Sequence, residues 1–305
     1  MRPRAIVLAV VAILAAGCGS GGGGSGTNAA LPGKGKPAVR LATKNFTEQY
    51  ILGQLYAQAL RQKGFTVVLK ENVGSSEIVD RALADGVIDA YPEYIGVIAG
   101  ELARSKVRPK SKAETYLLAK TYEETRGFAI LDPTPGFDAD ANAVRPDLAR
   151  KYHLKSTADL KRLGRFTYGG PPENQTRFQG AVGMRQVYGL DKLAYVPLTI
   201  ERRYPALDSG RIDVAAVFTT EGQLTNKRKY VLLSDPKGIF GFQNIVPVVS
   251  RKVMREEGPE FRRTLNAVSA KLTNGALQRM NAAVDLSKQK PADVARRFLQ
   301  QNGLL

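Results

Sequence analysis

Cysteine and histidine are almost absent from the 305-residue sequence, in which Cys18 and His153 are the only examples. A single cysteine excludes a disulfide within the chain. Catalysis by a Ser–His or metal–His pair would have to use His153, which lies in a stretch predicted to end a surface helix. No zinc-ligand cluster, nucleophile elbow or phosphate-binding loop is visible. We therefore expect neither an enzyme nor a bound metal or cofactor.

Long hydrophobic runs are also lacking. The apolar run from Ala5 to Ala16 carries no charge and follows the basic residues Arg2 and Arg4. It is too short to span a bilayer as a helix and is typical of the core of a secretory signal peptide. No later apolar stretch reaches membrane-spanning length.

The segment Leu14 to Cys18 (LAAGC) resembles the processing site of bacterial lipoproteins, in which the cysteine thiol receives lipid. Ala15 departs from that pattern, which prefers a larger aliphatic residue. An ordinary signal peptide that contains a cysteine is the alternative. Residues 19–26 are almost all glycine and serine and form a flexible tether. We expect a signal peptide over 1–17, a lipidated cysteine and tether over 18–36, and anchoring to the outer face of the bacterial cell membrane.

The sequence has a net charge of +17 and few acidic residues relative to basic ones. Such a balance is compatible with nucleic-acid binding, but the basic residues are scattered and no nucleic-acid motif accompanies them. An exported protein instead lies above anionic lipid headgroups. We interpret the charge as solvated surface, and we expect no nucleic-acid partner.

Strand-like and helix-like stretches alternate, which indicates the α/β class. The predicted strands are 39–42, 65–69, 88–91 and 166–168, and the predicted helices are 47–63, 76–84 and 178–188. The tail from Phe261 to Leu305 is predicted to form two or three amphipathic helices that pack on the outside of a lobe and do no chemistry.

One pattern occurs twice, as Ala82 to Asp89 (ALADGVID) and Ala206 to Asp213 (ALDSGRID). Each copy reads as a helix end, a glycine cap and a strand start. An aromatic residue, Tyr94 or Phe218, follows at the same distance. Ligands of open α/β sheets bind at the carboxyl ends of strands, so two related lobes would place these aromatics at a shared crevice. A common turn used twice is the alternative.

Several segments resemble the substrate-binding proteins of ABC importers for glycine betaine, choline and carnitine. They are Lys44 to Leu52 (KNFTEQYIL), Gly74 to Ser76 (GSS), Tyr91 to Gly96 (YPEYIG), Val144 to Arg150 (VRPDLAR), Phe218 to Gly222 (FTTEG), Pro247 to Val249 (PVV) and Leu265 to Thr273 (LNAVSAKLT). The likeness covers nearly all of the chain after the tether. It implies a small-molecule solute, an ABC permease as partner and a monomeric protein.

The resemblance implies the type II periplasmic-binding-protein fold, in which two α/β lobes are joined by two hinge crossovers. On this basis residues 37–139 with 245–305 form lobe 1, and residues 140–244 form lobe 2. The crossovers are expected near Asp138 to Asn142 and Phe240 to Asn244.

The family holds a quaternary ammonium head in a cage of tyrosines and its carboxylate with basic and hydroxyl groups. Aromatic faces suit a methylated ammonium because it cannot donate hydrogen bonds. By resemblance, Tyr94 is a cage tyrosine, Lys44 and Arg177 serve the carboxylate, and Phe218 and Asp140 replace two other tyrosines. The full set of expected ligand-binding residues is Lys44, Gln49, Ser75, Ser76, Tyr94, Asp140, Arg177, Phe218, Thr219, Phe242, Gln243 and Asn244.

The replaced tyrosines leave alternatives open. Asp140 could compensate a cationic head by Coulomb attraction, or the ligand could be a more polar or aromatic solute that suits Asp140, Gln243 and Asn244. Arg177 could simply pair with Glu173, and Phe218 could be a core residue. A lipid-anchored ligand sensor without transport is a further alternative.

Overall fold

The computed structural model describes residues 30–226 and 228–305. The expected signal peptide, Cys18 and most of the tether lie outside the described residues. In the part that is described, none of the helices is long and apolar enough to cross a membrane. The Gly33 amide donates to the Lys63 carbonyl at 2.9 Å, and a Cβ at Gly33 would lie 2.5 Å from Phe65 Cα. The end of the expected tether therefore already packs against the folded body.

The strands alternate with helices along the chain, as the sequence predicts. The strands are β1 (Val39–Lys44), β2 (Val67–Gly74), β3 (Ala90–Tyr94), β4 (Phe128–Ile130), β5 (Asp140–Val144), β6 (Phe166–Gly170), β7 (Leu193–Pro197), β8 (Val214–Phe218), β9 (Val231–Leu233) and β10 (Ile245–Ser250). The α-helices are α1 (Thr47–Gln62), α2 (Ser76–Ala84), α3 (Ile95–Val97), α4 (Lys112–Thr125), α5 (Pro146–Tyr152), α6 (Gly183–Gln186), α7 (Arg203–Asp208), α8 (Arg251–Glu257), α9 (Pro259–Ser269), α10 (Asn274–Asp285) and α11 (Pro291–Gln301).

Two five-stranded sheets carry the fold, with strand orders β2-β1-β3-β10-β4 and β7-β6-β8-β5-β9. In the first sheet β1 is parallel to β2 and β3, and β10 is antiparallel to β3 and β4. The second sheet repeats this pattern, with β6 parallel to β7 and β8 and with β5 antiparallel to β8 and β9. The α/β class and the two-lobe fold are confirmed.

In each sheet, the same contacts connect the helix of the repeated sequence pattern to the strand that follows it, β3 or β8. The Asp89 amide donates to the Arg40 carbonyl at 2.8 Å, and its carboxylate accepts from the Arg40 amide at 2.8 Å. The Asp213 amide donates to the Thr167 carbonyl at 3.1 Å, and its carboxylate accepts from the Thr167 amide at 2.8 Å. The two copies of the sequence pattern therefore form matching structures, and the aromatics that follow them close β3 and β8.

Three predicted elements differ in extent from those in the structure, and each difference has a local cause. The Phe65 amide donates to the Leu60 carbonyl and the Ile88 amide to the Ala82 carbonyl, so both residues belong to helix ends that precede their strands. The predicted helix 178–188 is interrupted at Gly180, whose φ of −117° and ψ of −135° are not helical. A Cβ at Gly180 would lie 2.0 Å from the Asn174 carbonyl oxygen, so the chain bends there around the preceding turn.

Two crossover segments connect the two sheets and run beside each other. One runs from the end of β4 to Asp140, and the other returns from the end of β9 to Ile245. Phe137 and Asn244 form an isolated antiparallel bridge between them, and the Asp138 amide donates to the Gln243 carbonyl at 3.1 Å. The expected first crossover therefore begins earlier than Asp138, because Asp140 to Asn142 already belong to β5.

The tail forms three helices, and its buried stripe joins the core beside the first sheet. Leu265, Val268, Leu272 and Leu277 are all buried in that core. The Tyr56 and Ser269 hydroxyls lie 2.9 Å apart, which ties α1 to α9. In one respect the expectation was too simple, because α10 also brings Asn281 to the region between the lobes, as described below.

Candidate functional site

A narrow cavity of about 40 Å³ lies where β1, β3 and β8 end and where β5 begins. Eight of the expected ligand-binding residues line it together: Lys44, Ser75, Ser76, Tyr94, Asp140, Arg177, Phe218 and Gln243. Six further residues complete the lining: Asn45, Phe46, Val97, Asp138, Glu173 and Ile200. Residues that are far apart in the sequence and come from both sheets therefore converge on one crevice.

Three aromatic rings form a continuous row in this crevice. The Phe46 ring lies between Tyr94, at 6.4 Å between centroids with the planes 19° apart, and Phe218, at 5.1 Å and 34°. Tyr94 closes β3 of one sheet and Phe218 closes β8 of the other. Aromatic rings from both lobes therefore border the same crevice.

The Tyr94 hydroxyl is fixed by a buried polar cluster around Glu48. The Glu48 carboxylate accepts hydrogen bonds from the Tyr94 hydroxyl at 2.8 Å, the Thr220 hydroxyl at 2.6 Å and the Asn281 amide at 3.0 Å. Burial raises the pKa of Glu48, while these three hydrogen bonds lower it. The cluster joins α1, the loop after β8 and α10, so it links the lobes beside the aromatic row.

Lys44 is buried beside the row and is already paired. Its ammonium contacts the Glu93 carboxylate and lies 3.2 Å from the Ser76 hydroxyl. The same nitrogen is 4.2 Å from the centroid of the Tyr94 ring. Burial lowers the pKa of Lys44, and the negative charge of Glu93 opposes that effect.

Arg177 pairs across the cleft with Glu77, and not with Glu173. The Arg177 Nη2 donates to both Glu77 oxygens at 2.8 Å, and its Nε donates to Oε1 at 3.0 Å. Arg177 precedes a turn of the second lobe, and Glu77 lies in the first turn of α2 in the first lobe. This ion pair therefore spans the opening between the lobes.

Two carboxylates of the first crossover and of β5 face the cavity. Burial raises the pKa of Asp140 to about 6, an effect that the nearby positive charge of Arg177 opposes. Burial and the charge of Glu48 raise the pKa of Asp138 well above its usual range. One Asp138 oxygen accepts from the Thr220 amide at 2.9 Å. Among residues 30–226 and 228–305, the hydrogen-bond partner of the Asp140 carboxylate is the Asn174 amide, at a long distance of 3.5 Å.

Four of the expected residues do not line this cavity. Gln49 is buried behind Tyr94 and donates to its hydroxyl at 3.3 Å. The Thr219 hydroxyl contacts the Ala139 amide at 3.0 Å, and the Asn244 amide donates to the carbonyls of Thr134 and Gly136, so both support the crossovers. Phe242 lines a separate cavity, together with Arg108 and Phe178.

A larger chamber of about 280 Å³ adjoins the cavity and shares Phe46, Asp138, Ile200 and Phe218 with it. Behind Phe218, the Arg203 guanidinium lies 4.9 Å from its ring centroid. Arg203 is fully buried, pairs with Glu221 and donates to the Ile200 carbonyl at 2.9 Å. The sequence reasoning missed Arg203 and Glu48, because nothing in their local pattern marks a charged residue as buried.

His153 lies at the exposed end of α5, as predicted. Among the described residues, no group of three or more His, Cys, Asp or Glu side chains is placed to hold a metal ion.

A family model described as the substrate binding domain of ABC-type glycine betaine transport systems matches residues 37–301. The chain belongs to this family. Its members are solute-binding components of importers, which are not a class of enzyme. They act outside the cytoplasmic membrane, with a small-molecule ligand and a membrane permease as partners.

Individual relatives agree. The chain is 29% identical over 280 residues to a glycine-betaine-binding protein of Pseudomonas aeruginosa, covering 88% of each chain. It is 24% identical over 284 residues to a carnitine transport binding protein of Listeria monocytogenes, covering 90% of this chain and 91% of the other. A crystal structure described as a glycine betaine/carnitine/choline ABC transporter matches with a TM-score of 0.70 at 23% identity, covering 87% of this chain and 99% of that one. This last likeness concerns the fold.

Proposed function

We propose that this protein captures a solute with a quaternary ammonium head in the cleft between its lobes and delivers it to an ABC permease. The main support for this proposal is that three aromatic residues, Phe46, Tyr94 and Phe218, converge beside two carboxylates in the cavity. A methylated ammonium cannot donate hydrogen bonds, so aromatic faces bind it, at about 0.5–2 kcal/mol for each contact.

The carboxylates supply the complementary charge. Asp138 and Asp140 both line the cavity and are buried or half-buried. A cation that enters the crevice would favour their ionised forms, because an opposite charge within a few ångströms lowers the pKa of a carboxyl group. Phe218 keeps an aromatic face without a hydroxyl, which is sufficient for contact with methyl groups.

We also propose that binding closes the lobes about the two crossovers, with residues 37–139 and 245–305 moving against residues 140–244. The sheet membership of β5 and β10 supports these boundaries. Ligand contacts from both lobes would favour the closed state, which is the form that a permease can distinguish.

A thermal-shift and calorimetric screen of the purified protein tests the ligand class. The panel contains glycine betaine, choline, carnitine, ergothioneine, proline and neutral sugars. A ligand that binds only the folded state raises the unfolding midpoint by mass action. We expect shifts with quaternary ammonium compounds and none with the sugars. Shifts confined to uncharged compounds would contradict the proposal.

We further propose that the protein is anchored through a lipid on Cys18, on the basis of the LAAGC segment, and that it is a monomer, on the basis of the family resemblance. A Cys18→Ala variant expressed in a bacterial host should move from the membrane fraction to the soluble fraction. Retention of the variant in the membrane fraction would contradict lipid anchoring at this residue.

A further inference from the structure

The two basic residues that line the cavity differ from its acidic residues in how they are paired. Within residues 30–226 and 228–305, the lining contains Lys44 and Arg177 as cations. Each already has a carboxylate partner that does not belong to the lining, Glu93 for Lys44 and Glu77 for Arg177. A ligand carboxylate would therefore have to displace one of these partners.

Displacement of Glu77 is opposed by its geometry. Its carboxylate accepts three hydrogen bonds from the Arg177 guanidinium, all between 2.8 and 3.0 Å. The Ser75 hydroxyl donates to the same carboxylate at 2.7 Å and holds it in place. Pairs in which an arginine fork contacts both carboxylate oxygens are the strong ones among charge-assisted hydrogen bonds.

The surroundings of Arg177 are acidic as well. The negative charges of Glu77, Glu173 and Asp140 all raise its pKa, against the effect of burial. A second carboxylate brought to this guanidinium would lie among three negative charges. Like charges brought together in a desolvated cleft repel each other strongly.

Lys44 offers no better site. Its side chain is 4% exposed, and its ammonium contacts the carboxylate of Glu93, whose side chain is fully buried. Removing Glu93 from this contact would leave an uncompensated buried charge, which is costly. In contrast, Asp138, Asp140 and Glu173 line the cavity without an ion pair within the described part of the chain. The cleft is therefore able to pair a cation, and it offers a ligand carboxylate no cation that lacks a partner of its own.

From these contacts we infer that Glu77 makes the cleft select quaternary ammonium cations that lack a carboxylate, such as choline, over zwitterionic betaines. This inference rests on the proposed function and specifies the ligand class of the same site. Glu77 acts through Arg177: it occupies the guanidinium that would otherwise bind the carboxylate of a betaine.

Isothermal titration of the purified protein with choline and with glycine betaine tests this inference. The two ligands share the trimethylammonium head and differ chiefly in a hydroxymethyl group against a carboxylate. We expect choline to bind at least about tenfold more tightly. Neighbouring negative charges disfavour an ionised carboxylate by more than one pKa unit, and one unit corresponds to a tenfold change in a binding constant. In Glu77→Gln, which keeps the size of the side chain, glycine betaine should gain about tenfold relative to choline.

Glu256→Gln is the matched control, because it removes the same charge from an exposed position on α8 of the same lobe. Its ratio of affinities should equal that of the wild type. Unfolding midpoints establish that each variant is folded. If glycine betaine binds the wild type as tightly as choline, the inference is overturned and the proposed function stands. An unchanged ratio in Glu77→Gln removes Glu77 as the selecting residue. If neither compound binds, the proposed function and this inference both fail.

Discussion

The rings of Phe46 and Phe218 lie 5.1 Å apart between centroids, although one follows β1 of the first sheet and the other ends β8 of the second. Their contact bridges the lobes beside the carboxylates of the cavity. Arg203 lies on Phe218 at 4.9 Å and is itself held by Glu221. The aromatic row is therefore backed by a buried ion pair whose two members do not line the cavity.

Two substitutions of Phe218 test whether ligand binding needs the aromatic face at this position or would also gain from a tyrosine hydroxyl. Phe218→Ala removes one ring face and should weaken binding of choline about 3- to 30-fold, as expected for the loss of one cation–π contact. Phe218→Tyr keeps the face and should retain most of the affinity. Titration calorimetry measures both, with Leu117→Ala as a control at an exposed position. Equal affinity in Phe218→Ala and the wild type would show that this ring does not contact the ligand.

Binding of a quaternary ammonium cation should strengthen as the pH rises from 5 to 7.5. The pKa of Asp140 in the empty cleft is about 6, so the carboxyl group is mostly protonated at pH 5 and mostly ionised at pH 7.5. Since only the ionised form attracts the cation, the affinity should rise about tenfold over this range. Asp138, whose pKa is also raised, adds to the effect in the same direction.

The matching variant is Asp140→Asn. Its affinity at pH 7.5 should fall towards the wild-type value at pH 5, and its pH dependence should be smaller. Calorimetry at the two pH values with choline gives both quantities. A wild-type affinity that is constant over the range would contradict a role for Asp140 as a counter-ion.

Arg203→Met should destabilise the protein by about 3–5 kcal/mol, because it leaves the buried Glu221 carboxylate without its cation. Adding Glu221→Gln to this variant should recover part of the loss. Urea unfolding gives the free energies. Lys229→Ala breaks the exposed pair with Asp208 and should cost less than about 1 kcal/mol. Similar losses in Arg203→Met and Lys229→Ala would mean that the buried pair contributes no more than a surface one.

Glu123 should make the protein less stable as the pH rises. Burial raises the pKa of its carboxyl group to about 8, so the folded protein holds a proton that the unfolded chain releases above its ordinary pKa near 4.5. The free energy of unfolding therefore falls between about pH 4.5 and 8. Glu123→Gln should be more stable than the wild type at pH 8, by about 3–5 kcal/mol, and nearly equal at pH 5, because each unit of pKa shift is about 1.4 kcal/mol.

Thermal unfolding at pH 5 and pH 8 measures this difference. Arg126 keeps its two hydrogen bonds to Asp80 in the variant, at 2.8 and 2.9 Å, so no new unpaired cation is created. Glu256→Gln serves again as a control for the change of charge. A gain at pH 5 equal to the gain at pH 8 would point to a packing effect and not to protonation.

The alternation of elements and the contacts of the repeated pattern were predictable because both depend on local patterns. Ala82 to Asp89 and Ala206 to Asp213 carry their structure in a glycine cap and an aspartate that clamps the neighbouring strand. The resemblance also anticipated the residues at the strand ends, such as Tyr94 and Phe218, which do converge. These features need no knowledge of which distant segments meet.

The pairing of charges was not predictable from the sequence, because it depends on which distant segments meet. Whether Arg177 meets Glu173, nearby in the chain, or Glu77, in the other lobe, depends on how the lobes sit against each other. The burial of Arg203 and Glu48 has the same origin. Asn281 reaches the Glu48 cluster only because α10 packs beside α1, which an amphipathic stripe alone does not specify.

The strand order also has a consequence for how the chain folds. β10 lies between β3 and β4 in the first sheet, yet it follows every strand of the second sheet in the chain. All strands of the second sheet come from one uninterrupted stretch of the chain. The first sheet is complete only after β10 has joined it, and this pairing closes a very long loop. Pairings between distant segments form slowly because loop closure must come first. During folding, the second lobe can therefore complete its sheet while the first lobe still has a gap at an interior position.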